Sequence, residues 1–172
     1  MENISKNISY AEGIKSATGS RLGIKNEPNA KELSRMKILA EKVFEPLRCH
    51  FGKPISIVSF FRSLALNKAV GGASGSQHLA GAYNNKNESA MDIDADLMNN
   101  GVTNTEIFEY IKDNLEFDQL IAEFENDEGT SPAWIHVSYG DRKRKQVLIA
   151  RKVGGKTSYS AYTKSLYKQI YG

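Results

Sequence analysis

Apolar residues recur at steps of three and four along the first third of the chain. Leu33, Met36, Leu39, Ala40, Val43, Phe44 and Leu47 fall on one stripe, which predicts a helix from Pro28 to Leu47. Proline suits a helix's first turn, and Pro46 is expected to mark its frayed end. Ile55 to Ser59 is β-branched and follows Gly52 and Pro54, so it predicts a short strand. Ser63 to Val70 reads as a helix stopped by Gly71 and Gly72, and residues 71–90 as loop. From Met91 to Asp96 the period changes to two, with Met91, Ile93 and Ala95 against Asp92, Asp94 and Asp96, as in a strand with one polar face. Thr103 to Leu115 returns to helical spacing, and Thr103 with Glu106 forms a capping box. Strands are predicted at Gln119–Phe124, Trp134–Tyr139 and Gln146–Arg151, the last two joined by a solvated hairpin turn. A helical tail follows, where Tyr162, Leu166 and Ile170 lie one turn apart. Helices first and strands afterwards predict an α+β domain with a mainly antiparallel sheet flanked by helices.

Composition narrows this only a little. At 172 residues the chain can bury one real core, and 40% hydrophobic with 25% charged residues argues against disorder. The net charge of +3 favours an anionic partner, with cell wall and nucleic acid both eligible. The basic run Asp141-Arg142-Lys143-Arg144-Lys145 reads as a solvated turn, which makes nucleic acid the weaker choice. No stretch reaches the length of a membrane span, and the start lacks an apolar leader. Synthesis in a cytoplasm, no membrane partner and a monomeric state are therefore expected. The single Cys49 cannot form an internal disulfide and is expected to be buried and inert.

Chemistry concentrates in a few positions. Of three histidines, His78 lies in a glycine-rich loop and His136 in a strand, with the acidic strand of Asp92 and Asp94 between them. Two imidazoles and one carboxylate satisfy a catalytic zinc, which takes about three protein ligands and keeps one position open. Asp92 and Asp94 share a strand face, so either could be the carboxylate. Arg62, after an apolar strand, could hold a substrate carboxylate or an oxyanion, or form a surface ion pair. Glu123, beside the His136 strand, could act as a general base or simply face solvent. His50, at a helix end, is given no ligand role.

In order, the motifs are Arg62-Ser63, then Val70-Gly71-Gly72-Ala73 with Ser76-Gln77-His78, then Gly81, Ala90-Met91-Asp92-Ile93, and Trp134-Ile135-His136-Val137-Ser138. This series resembles the zinc D-Ala-D-Ala peptidases of the lysostaphin, D-Ala-D-Ala peptidase and sonic hedgehog fold group, in their small phage-type branch. Gly23-Ile24-Lys25-Asn26, Glu45-Pro46-Leu47-Arg48 and Gly52-Lys53-Pro54-Ile55 extend the similarity over about residues 5–140. The resemblance implies a hedgehog/DD-peptidase-like fold, Zn2+ as cofactor and peptidoglycan stem peptides as substrate, in an endolysin-like carboxypeptidase or endopeptidase acting on the cell wall and possibly of phage origin. It implies His78, Asp92 and His136 as zinc ligands, which selects Asp92 over Asp94. It also implies Arg62, Ser76 and Gln77 at the substrate, with Arg62 and Glu123 in catalysis and Glu125, Asp127 and Glu128 as alternatives for the base on the following loop. On this reading residues 1–172 form one zinc peptidase domain. It has an irregular arm at 1–25, a loop insertion at 82–89 on the site rim and a helical tail at 157–172. Many relatives carry an acid three residues before the last histidine, whereas this chain has Ala133.

Overall fold

The protein is described by a computed structural model, which covers residues 2–83 and 85–172. Two short helices, α1 (Tyr10–Gly13) and α2 (Ala17–Leu22), open the chain. The predicted irregular arm is thus partly helical. Ser9 and Ser16 are the reason, because each accepts a hydrogen bond from the backbone N–H three residues on. Met1 of that arm and Asn84 of the predicted insertion lie outside the described residues.

The long amphipathic stretch is divided. Helix α3 (Ala30–Leu39) starts after Pro28, because Asn29 is its cap and forms a capping box with Glu32. A π-turn (Ala40–Phe44) leads without a break into α4 (Glu45–Phe51). Pro46 therefore sits inside the helical run instead of ending it. Its missing N–H and its ring are incompatible with a regular turn. In the widened turn, Glu45 N–H donates to the Ala40 carbonyl, five residues back. Cys49 is exposed on α4, contrary to expectation, and His50 stacks on Tyr110 with ring centroids 4.0 Å apart.

After strand β1 (Ser56–Ser59) come α5 (Leu64–Ala69), a 3-10 turn (Gln77–Leu79), β2 (Glu88–Asp94), a second 3-10 turn (Asp96–Met98) and α6 (Asn104–Asn114). The chain closes with β3 (Gln119–Glu123), β4 (Trp134–Gly140), β5 (Gln146–Val153), β6 (Lys156–Ala161) and α7 (Lys164–Tyr171). Two predicted boundaries move. Glu88 and Ser89 belong to β2, not to a loop, because they pair with Gly140 and Tyr139 of β4. Residues 156–161 are a strand, not helical tail, because they pair with β5 over six positions.

The six strands run in the order β1-β2-β4-β3-β5-β6, antiparallel throughout except for β3 with β5. The α+β class and the mainly antiparallel sheet are as expected. The segment from β4 to β5 is not a hairpin, since β3 lies between them and the chain crosses its end. One sheet face carries Met91, Ile93, Leu120, Ala122, Ile135, Val137 and Ile149, all buried in the main core with α3, α4 and α6. The other face carries Asp92, Glu123 and His136.

Candidate metal centre

Strand register brings the first two polar groups together. Asp92 of β2 is directly opposite His136 of β4, so both side chains leave the same face. His78 approaches from the 3-10 turn that follows the glycine-rich loop. Arg62 N–H donates to the His78 carbonyl at 3.0 Å and pins this turn to the segment after β1. Gly81 lets the chain leave the turn: its φ is +77°, and a Cβ there would collide with the Lys86 carbonyl oxygen.

His78 Nε2 lies 3.1 Å from Asp92 Oδ1, and His136 Nδ1 lies 2.9 Å from the same oxygen. All three residues are buried, and their three donor atoms lie within 4.8 Å of one another. Arg62 takes the other oxygen, with Nη2 3.1 Å from Asp92 Oδ2, while its Nε donates to Ser59 Oγ at 3.0 Å.

The hydrogen bonds decide what the pocket can hold. His78 Nδ1 is 2.7 Å from the Phe60 carbonyl oxygen. A carbonyl only accepts, so Nδ1 carries the proton. Burial, joined by the charges of Arg62 and His136, lowers the His78 pKa despite Asp92, and the ring is neutral. Its Nε2 then presents a lone pair to a carboxylate oxygen, and two acceptors facing each other call for a cation between them. Burial would raise the Asp92 carboxyl, but the two imidazoles facing it overcome burial and hold it well below the usual range. Burial likewise opposes charge on His136, yet the hydrogen bond it donates to Asp92 and the charges of Asp92 and Glu123 raise its pKa. The group is therefore an ionised carboxylate between a neutral imidazole and a basic one. The two contacts to Asp92 Oδ1 are close to the ~3.3 Å expected between neighbouring ligands of a tetrahedral zinc with bonds of about 2.0–2.1 Å. The donor set fits a divalent metal.

Glu123 lies two residues from Ile121, the partner of His136, and is paired with Trp134. Burial raises its pKa. The Asp92 charge adds to this, and the His136 charge, a hydrogen bond from Trp134 and the Arg62 charge oppose it. Asp94 is occupied elsewhere, accepting from Asn104 Nδ2 at 3.0 Å. Ser76, half-buried, stands at the entry to the His78 turn.

Gln77, expected at the substrate, is committed to a buried polar cluster. Its Nε2 donates to Glu88 Oε2 at 3.1 Å and to Asp118 Oδ2 at 2.8 Å. Arg142 and Arg144 close the cluster on the same carboxylates. The basic turn is therefore partly paired inward instead of fully solvated. Asn87 of the predicted insertion is tied down too: Arg35 of α3, which also donates to the Ala80 carbonyl, donates to Asn87, and Asn87 donates to Asp141. Sequence reasoning missed Trp134 as the partner of Glu123 and Ser59 as the partner of Arg62. The Trp134-x-His136 spacing was the only available signal for the first, and the second had none.

The family model described as Peptidase M15 matches residues 6–138. No curated protein matches the chain. Among the described residues, no helix is long and apolar enough to cross a membrane.

Proposed function

Because the chain belongs to the peptidase M15 family, we propose that it is a zinc peptidase that hydrolyses stem peptides of bacterial peptidoglycan. The observation that carries this is the buried His78–Asp92–His136 group with Arg62 and Glu123 beside it. His78, Asp92 and His136 would hold the ion. Bound there, zinc supplies Lewis-acid polarisation of the scissile carbonyl and makes water a nucleophile near neutral pH.

The remaining steps belong to the chain's own side chains. Glu123, with its proton affinity raised by burial, takes a proton from the attacking water and passes it to the leaving amine. It replaces the acid that Ala133 lacks. Arg62 has five N–H donors, of which Ser59 and Asp92 take two. The others serve a substrate carboxylate or the oxyanion that develops on the carbonyl. Ser76 lies at the lip of the His78 turn, where a hydroxyl can meet the peptide.

Mass spectrometry of defined muropeptides incubated with zinc-loaded protein tests the reading. Chelator-sensitive cleavage at one stem-peptide bond is expected. Glu123→Gln should keep stoichiometric zinc and lose at least about 100-fold in kcat. A purified chain that takes up no zinc would sink the proposal. Ala133 also motivates a second reading, a non-catalytic wall-binding relative. It predicts zinc uptake and binding of muropeptides with no cleavage by the wild-type chain.

A further inference from the structure

Beyond residue 138, where the family match ends, the sheet continues through β5 and β6. Glu123 pairs with Trp134 on one side and with Ala150 on the other, and Ala150 pairs with Tyr159. Trp134, Glu123, Ala150 and Tyr159 thus form one row across four strands. The row stands on the face that carries Asp92 and His136, because paired residues share a face and Trp134 is two residues from His136.

Ala150 is fully buried and offers only a methyl group, while Tyr159 is 56% exposed although aromatic. Two strand spacings of about 4.8 Å separate the backbones of Glu123 and Tyr159 by roughly 10 Å. With Ala150 buried between them, Glu123 beside Trp134 lies on the inner side of the row and Tyr159 on its exposed outer side. The far side is aromatic as well, since Phe124 packs edge-on to Trp134 with centroids 5.1 Å apart. The Tyr159 hydroxyl also senses the site: burial raises its pKa, and the charges of Glu123 and Asp92 raise it further. The phenol therefore stays protonated and can donate.

We infer that Tyr159 is a substrate-binding residue that forms the outer wall of the cleft, donating to a peptide carbonyl while its ring covers the stem peptide beside the scissile bond. This rests on the peptidase reading above and adds the strand, outside the family match, that completes the cleft.

Steady-state kinetics on a muropeptide substrate, with the zinc-loaded full chain, tests it. Tyr159→Ala is expected to raise KM about tenfold with kcat within about twofold, and Tyr159→Phe to recover the part due to the ring. Zinc content and melting temperature should match the wild type, because the side chain is exposed on an edge strand. Titrating the intact peptide into Glu123→Gln protein, with and without Tyr159→Ala, should show the same factor in Kd. An unchanged KM and Kd would overturn the inference while leaving the peptidase reading standing. A fall in kcat alone would overturn it too, by placing Tyr159 in the chemistry. If the wild-type chain neither binds nor cleaves any muropeptide, the peptidase reading fails first and this inference with it.

Discussion

Asp118 shows how one buried side chain supports a site it does not touch. Its carboxylate accepts from Gln77 Nε2, from Arg144 Nε and Nη2, from the Arg144 backbone N–H and from Arg142. Burial pushes its pKa up, but the bonds from Arg144 and Gln77 outweigh burial and bring it down to about 2. A folded pKa below the unfolded value of about 3.9 means stability that is complete above about pH 4. That stability is lost as pH falls through about 2. Asp118→Asn should therefore cost about 2 kcal/mol at neutral pH. Between pH 4 and pH 2 the urea midpoint of the wild type should fall more steeply than that of the variant. Equal slopes would show that Asp118 is not the titrating anchor. At this scale the sequence shows types better than partners. His78, Asp92 and His136 are legible because their short motifs hold them in order. The role of Gln77 is not, because Glu88 and Asp118, 11 and 41 residues away, become its partners only when the sheet forms.

Local signals decide which elements can be read in advance. Helix α6 is legible from its cap: Thr103 Oγ1 accepts from Glu106 N–H, and Glu106 Oε2 accepts from Thr103 N–H at 2.8 Å. Thr103→Ala removes the Oγ1 half of this box, leaves the bond from the backbone N–H of residue 103 to Glu106, and should cost about 1 kcal/mol, seen as a lower urea midpoint with an unchanged m-value. A loss below a few tenths would mean that Asn104, buried with its amide on Asp94 and on the carbonyls of Pro132 and Ala133, holds the helix start alone. Other elements carry no such signal. The π-turn before Pro46 keeps the apolar stripe intact, so periodicity sees one helix where the hydrogen bonding changes register. Strand β6 lies on the sheet's edge and is mostly exposed on both faces, so it lacks the apolar alternation that marks a half-buried strand. Its tyrosine therefore reads as part of the helical spacing that follows.

At the scale of the molecule, topology is the least legible feature. Consecutive strands suggest hairpins, whereas β3 inserts between β4 and β5 and pairs with β5 in parallel. Nothing local specifies that order. It is imposed by burying Leu120, Ala122, Val137 and Ile149 in one core. The same topology gathers the candidate metal ligands from three separate parts of the chain, a turn at 78, a strand at 92 and a strand at 136. An ion held by all three would join the glycine-rich loop to the sheet and would have no comparable site in the unfolded chain. Binding free energy then appears as stability. At zinc about 1,000-fold above Kd the gain is about 4 kcal/mol, which for a chain of this size raises the melting temperature by about 8–16 °C. The metal-free protein should stay folded, since its core is independent of the site, and a chelator should return the zinc-loaded protein to its melting temperature. Asp92→Asn should abolish the zinc-induced shift, because it removes the charge between the two imidazoles and the ion-pair partner of Arg62. A zinc-induced shift of full size in that variant would place the ion elsewhere, and calorimetry with and without zinc on the two proteins distinguishes these results directly.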